Sequence, residues 1–238
     1  MMVNKVDILA FGAHPDDVEC AVSGTLLKHI AMGKTVAIID LTAGENGSFG
    51  NRETRLKESK KASETLGVSY RECLGIRDGA IENNELNRLL VINSIRRYQP
   101  EIVLANALDD NHPDHAVAAN LVSNSVFLSG LEKIQTFHNN ELQNKWRPRV
   151  VYHYIQDMLI KPDFVIDISE YMSKKMDAIL AYKSQFISPK NNAPNSIIGL
   201  LEQIKSTNAI FGRPINSNYA EGFNVNRYIG VKNLFSLE

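Results

Sequence analysis

His14, Asp16 and Asp17, in the stretch GAHPDDVEC, stand directly after the apolar run VDILAF. Two adjacent carboxylates repel each other and are costly to desolvate unless a cation or a proton settles their charge. His14 and Asp17 are three positions apart, and Pro15 between them can open a helix from its first turn, so both side chains can face one point. Asp16 projects differently and need not share their role. Further along, His112, Pro113, Asp114 and His115 repeat the pattern, with two histidines three apart at another helix start. If the two turns converge, His14, Asp17 and His115 supply two imidazoles and one carboxylate and leave a coordination position open, the donor set of a catalytic zinc centre. Iron(II) fits the same ligands.

A cation held there would lower the pKa of a bound water and polarise a carbonyl oxygen beside it. Asp16 is then placed to take the proton of that water. His112 would supply a hydrogen bond or a proton to the oxyanion or the leaving amine, with Asp114 holding its imidazole in the useful tautomer. Each motif alone has a plainer reading: an Asp-Asp pair at a helix start is ordinarily an N-cap with a neighbour that complements the helix dipole. The two motifs together, at the ends of two strands of one chain, point to a metal site.

The elements that must bring them together are short β-branched runs alternating with segments of helical period. VDILAF precedes a helix over 17–32, TVAIIDLT a helix over 52–66, YRECLG one over 85–98, and EIVLAN one over about 113–130. VVYHY and DFVIDIS read as later strands, followed by a helix over about 170–183. SPKNNAPNS is a turn-rich separator before the amphipathic segment SIIGLLEQIKSTNAIF, and from Gly212 onward the chain reads as loop with one short strand. This rhythm predicts an α/β fold, a Rossmann-like three-layer sandwich with a mostly parallel sheet, spanning 1–238 as one domain. In such sheets function gathers beyond the carboxyl ends of the strands. GAHPDD, AGENGS, GIRDGA and ALDDNHPDH are the four strand ends that would share that rim.

Composition narrows the class. With 26 basic against 27 acidic side chains and no basic stripe, the chain is not expected to bind nucleic acid. Cys20 and Cys73 are too few for a disulfide framework and too far apart for a zinc knuckle, so a reducing cytoplasm is the expected compartment. The first residues turn polar after a very short apolar run, and no long apolar stretch follows, so neither a secretion signal nor a membrane span is expected. The opening turn holds Gly12 followed by a histidine and acids, which would repel a pyrophosphate, so a dinucleotide site is set aside. His29, His138 and His153 have no partner at ligand spacing, and Cys20 reads as a small buried apolar residue.

AHPDD after the first strand and HPDH after the fourth resemble the LmbE-like (PIG-L-like) family of zinc-dependent N-acetylglucosaminide deacetylases. LTAGENGS with its following arginine, GIRDGA, AYKSQF and NYAEGF extend the similarity over most of the chain. Within the family the motif set is most similar to the bacillithiol-pathway deacetylases of N-acetylglucosaminyl malate. The resemblance implies metal ligands at His14, Asp17 and His115, a general base at Asp16, and a histidine and orienting acid at His112 and Asp114, in agreement with the reading of the residues themselves. It implies that Arg55 holds the acidic aglycone, since a guanidinium binds carboxylates bidentately. Arg52 is its rival, and a solvated helix charge is the plainer alternative for either. Glu45, in the turn after the second strand, would accept hydrogen bonds from sugar hydroxyls or else cap that turn. Gln185 in KSQF and Tyr219 and Glu221 in NYAEGF match family motifs near the site without a role the sequence defines. Immediately before HPDH, where the family often carries an arginine, this chain has Asn111, which leaves the aglycone open.

The expected reaction is therefore hydrolysis of the acetamide of N-acetylglucosaminyl malate, or of another N-acetylglucosaminide, on a small sugar-derived substrate. Two rivals differ in class. An iron(II) oxygenase also uses two histidines and a carboxylate, but normally on a β-barrel, and it would leave Asp16 without a task. A sugar-binding module without catalysis would not need every group that hydrolysis requires. The amphipathic segment 196–210 is read either as a cover for the sheet edge or as the contact of a homo-oligomer.

Overall fold

A computed structural model describes residues 4–187 and 199–236. In chain order the elements are β1 (Ile8–Gly12), α1 (Asp17–Ala31), β2 (Val36–Asp40), α2 (Arg52–Leu66), β3 (Tyr70–Cys73), α3 (Glu85–Tyr98), β4 (Ile102–Ala105), α4 (Pro113–Ser129), β5 (Phe137–His138), β6 (Glu141–Leu142), β7 (Val150–Tyr154), β8 (Phe164–Asp167), α5 (Met172–Ile179), α6 (Lys183–Phe186), α7 (Leu200–Gly212) and β9 (Ala220–Asn224). Seven strands form one sheet in the order β3-β2-β1-β4-β7-β9-β8. The pairs from β3 through β7 are parallel, and β9 runs antiparallel to both of its neighbours.

The sheet is buried on both faces because its innermost parallel strands, β1 and β4, are apolar at every position, as parallel strands between helices must be. On β1, Leu9 and Phe11 pack with Ile39 and Val103 against α3 and α4. Ile8 and Ala10, on the alternate face, pack with Ile38 and Leu104 against α1. Between α1 and the sheet lies a buried charge network in which the Arg71 guanidinium donates to Asp40 Oδ2 at 2.8 Å and to the Glu19 carboxylate. It ties β2 and β3 to the first helix.

Strands β2 and β4 flank β1 on opposite sides, so the chain reverses its winding between β1 and β4 and opens a crevice at their carboxyl ends. Both histidine turns leave the sheet there. The predicted α/β architecture is the observed one, with helices α2 and α3 at the predicted residues.

Three departures from the sequence expectation have physical causes. The helix expected over 170–183 divides into α5 and α6, because the intervening Tyr182 leaves helical geometry with ψ near 68° and buries its ring so that its hydroxyl donates to Glu19 Oε1 at 3.1 Å. The strand expected after Gly212 is an interior member of the sheet, inserted between β7 and β8. A small hairpin, β5 and β6, turns through Asn139 and Asn140, both in the left-handed region that such turns require. SPKNNAPNS and residues 196–198 lie outside the described residues. The remainder of the amphipathic segment is α7, which packs on the sheet at β9 and so covers it. Among the described residues no helix is long and apolar enough to cross a membrane.

Candidate metal centre and its cavity

Gly12 ends β1, and a side chain there would press on the His14 carbonyl at 3.0 Å and on Asp17 Cβ at 3.2 Å, so the chain needs glycine to fold back this tightly. Asp16 follows in the left-handed region, with φ 110°. That conformation is strained for a residue with a side chain and is stored where the surroundings enforce it. The plain N-cap reading does not describe this pair. Asp16 makes no side-chain cap bond to α1, and Asp17 Oδ2 instead accepts from the His14 backbone N–H at 3.0 Å.

The fourth strand end brings the second motif alongside. The His14 ring lies 4.7 Å from that of His112 and 5.5 Å from that of His115, centroid to centroid. Asp17 sits between two of these rings, with Oδ1 3.2 Å from His115 Nε2 and Oδ2 3.7 Å from His14 Nδ1. Donor atoms of His14, His112 and His115 fall within 4.8 Å of one another, as do those of His14, Asp78 and Asp114. The chemistry of this set suits a divalent cation. Imidazole nitrogens and carboxylate oxygens converge, and the carboxylates of Asp17, Asp78, Asp110 and Asp114 around His14 and His115 raise both imidazoles toward their cationic forms against the opposing effect of burial. The outer contacts are those that orient metal ligands: His115 Nδ1 lies 3.4 Å from Asp110 Oδ1, and Asn106 Nδ2 donates to Asp17 Oδ2 at 2.9 Å.

Electrostatics divide the two adjacent acids. Burial lifts the Asp16 carboxyl to about 7, with Asp17 adding to the rise and the Arg55 guanidinium and His14 opposing it. Burial acts in the same direction on Asp17, but His115 and His14 hold it well below the usual carboxylate range. Burial also depresses His112, reinforced by the neighbouring His14 and His115, so its ring is neutral. The Asp114 backbone N–H donates to His112 Nδ1 at 3.2 Å, which leaves the ring proton on Nε2. The tautomer expected from the Asp114 carboxylate is thus set by its amide. The carboxylate itself turns to His14 Nε2 at 3.2 Å and accepts from the Gly79 N–H at 2.9 Å.

The cluster forms one end of a cavity of about 600 Å³, bounded also by the β2, β3 and β7 strand ends and by α7. Arg55 lies on its wall, and the guanidinium meets Asp16 Oδ1 at 3.2 Å and donates to the Pro15 carbonyl. Arg52, its rival, does not line the cavity. Gln185 is on the wall too, its amide donating to the Phe49 carbonyl at 2.7 Å. Glu45 is not on the wall and caps the turn, accepting from the Ala43 and Asp78 amides. Tyr219 is not brought to the cavity; it packs against the apolar cluster that includes Ile168 and Ile204. Glu221 is wholly buried away from it, where its carboxylate accepts from Lys175 Nζ at 2.7 Å and from the amides of Gly24 and Thr25 in α1.

Cys20, expected in the core, is partly exposed on the cavity wall. His153 is a satisfied core histidine held by Asn106 O and Ser123 Oγ. Sequence reasoning did not single out Asp78, Asp110 or Asn106. The first two lay within strand-end motifs it had marked, GIRDGA and DDNHPDH, whereas Asn106 carried no signal.

A parallel sheet with a histidine and aspartate cluster at its switch point defines a class of α/β proteins with a metal-type centre at the strand ends. Residues 9–126 match the profile of the GlcNAc-PI de-N-acetylase (PIG-L) family. A conserved protein of Thermus thermophilus superimposes with a TM-score of 0.84 at 33% identity, covering 95% of this chain and 98% of its own. The chain belongs to the PIG-L family. It is also similar to a diacetylchitobiose deacetylase of Thermococcus kodakarensis, 28% identical over 90% of this chain and 81% of the relative. A probable N-acetyl-alpha-D-glucosaminyl L-malate deacetylase 2 of Bacillus anthracis is 27% identical over 78% of this chain and 84% of its own length.

Proposed function

We propose that the chain hydrolyses the acetamide of an N-acetylglucosaminide, releasing acetate and the free amino sugar. The observation that carries this reading is the division of labour around one cavity: a carboxylate, Asp16, left unshared beside the His14, Asp17 and His115 cluster, with the neutral His112 within reach. A divalent cation held by His14, Asp17 and His115 would polarise the acetamide carbonyl and acidify a water beside it. Asp16 takes the proton that the attacking water gives up, and returns it to the amine nitrogen as the C–N bond breaks. His112, with its proton on Nε2, donates a hydrogen bond to the carbonyl oxygen as charge develops there. Arg55 orients Asp16 through their ion pair. Zinc is the proposed ion, with iron(II) as the alternative for the same donors. The two free thiols support a reducing, cytoplasmic setting.

For the aglycone, the motifs favour N-acetylglucosaminyl malate and the bacillithiol pathway, supported by the Bacillus anthracis relative. One observation favours a second reading. Among the described residues Arg55 is the one lysine or arginine lining the cavity, and its guanidinium already faces Asp16 and the Pro15 carbonyl. Two malate carboxylates would compete for it, whereas a neutral sugar, as in the name of the Thermococcus relative's substrate, asks for none.

Acetate release from N-acetylglucosamine, diacetylchitobiose and N-acetylglucosaminyl malate, with and without chelator, tests the reaction. The expected result is release that chelation abolishes and zinc restores. Release indifferent to chelation would sink the metal-dependent mechanism, and no release from any of the three would sink the reaction.

A further inference from the structure

Helix α7 lines the same cavity as the metal-type cluster, and its sequence separates its two faces. Glu202 and Lys205 pair with each other at 3.2 Å away from the cavity. Gln203, Ile204, Thr207 and Asn208, at helical spacing, line the cavity with neutral polar groups interleaved with apolar ones. Asn208 is the unusual member. It is 5% exposed, and its amide oxygen is buried with no hydrogen-bond partner. A buried acceptor left unmade is unfavourable, so a native structure that keeps one calls for a reason. The terminal torsion of asparagine is soft and roughly two-fold, so turning the amide over exchanges its oxygen and nitrogen between the buried side and the cavity.

The position of this wall is fixed from the reacting end. Gln203 Nε2 donates to Asp157 Oδ1 at 3.0 Å and to the Asp157 carbonyl at 2.7 Å. Asn111 Nδ2 donates to Asp157 Oδ2 at 3.0 Å, and the Asp157 amide donates to Asp110 Oδ2. The asparagine that stands before HPDH therefore links the histidine turn, through Asp157, to α7. Asp157 also adds a negative charge on this side of the cavity, which opposes an acidic aglycone.

Resting on the deacetylase reading, we infer that the α7 face is the aglycone subsite and that Asn208 is a specificity-determining residue, accepting a hydrogen bond from a hydroxyl of a neutral, polyhydroxylated aglycone. Ile204, one turn before it, also lines the cavity, and the part of its side chain not packed into the core supplies apolar contact there.

The test uses the zinc-loaded protein with diacetylchitobiose as the neutral probe, N-acetylglucosaminyl malate as the acidic one and N-acetylglucosamine as the probe without an aglycone. Binding is read by calorimetry and turnover by acetate release. Asn208→Leu is expected to weaken diacetylchitobiose binding and raise its KM about tenfold, the worth of one uncharged hydrogen bond, with kcat and the N-acetylglucosamine KM unchanged. Asn208→Asp keeps the acceptor and should retain more of the binding. If Asn208→Leu fails to fold, Thr207→Val on the same face should give the same selective loss. Equal losses for the mono- and disaccharide, or a kcat/KM at least about tenfold higher for the malate conjugate, would overturn the subsite. Asn208-dependent binding without acetate release would refute the reaction while leaving the subsite standing.

Discussion

The two adjacent aspartates perform unlike work because their neighbours differ. Asp17 is fixed by the His14 amide and Asn106 and faces two imidazoles, whereas Asp16 meets Arg55 alone and keeps its second oxygen free. Asp16→Asn should therefore retain metal and lose roughly 10²- to 10⁴-fold in turnover, the usual worth of a positioned base. Metal content and acetate release, measured on one preparation, check both halves. Asparagine is the cleaner substitution here, because it tolerates the left-handed backbone at φ 110°, while alanine would add strain to the chemical loss. Asp110→Asn should leave the fold intact and weaken metal affinity about 10- to 100-fold, since it removes the carboxylate behind His115. Competition against a chromogenic chelator reads that directly. HPDD and HPDH were legible because their geometry is local, set by a spacing of three at a helix start. Asp78 and Asn106 were not singled out, because each acquires its role only when a separate strand end arrives beside His14 or Asp17.

Elements carry the second level of organisation. Lys175 and Glu221 are both 0% exposed and meet at 2.7 Å between α5 and β9, with Glu221 also bound to two amides of α1. Gly24 permits this close approach, since a side chain there would come within 2.7 Å of Ile168. Breaking a buried pair strands a charge, so Glu221→Gln should cost about 3–5 kcal/mol of stability. Combining it with Lys175→Met should recover part of that loss. Urea denaturation of the single and double variants separates the cost of the stranded ammonium from that of the lost amide contacts. The βα alternation was readable from β1 through α4, because β1, β2 and β4 are short, largely apolar runs and the helices between them have their own period. The break at Tyr182 and the place of β9 were not readable, because a distant carboxylate fixes the first and pairing with β7 and β8 fixes the second.

For the molecule as a whole, the cluster of carboxylates and imidazoles at the switch point means that a bound cation and the fold should stabilise each other. At free zinc about 100 times its Kd, binding adds about 2.7 kcal/mol. For a chain of this size that is a rise of roughly 5–10 °C in Tm. Thermal melting with and without zinc measures it, and Asp17→Asn should erase the rise and also lower the zinc-free melt, because the His14 and His115 imidazoles lose the carboxylate between them. The architecture also imposes a timetable. Among the described residues β8 pairs only with β9, and β7 has β9 on its far side, yet β9 follows both in sequence. As the polypeptide leaves the ribosome, β1 through β4 and β7 can assemble in sequence while β7 presents a bare edge and β8 has nothing to join. Unpaired edges of this kind invite association with other chains. Residues 220–224 close that gap, so the sheet is completed only after β9 has emerged, and a chaperone that shields the growing chain is needed most between the emergence of β7 and that of β9.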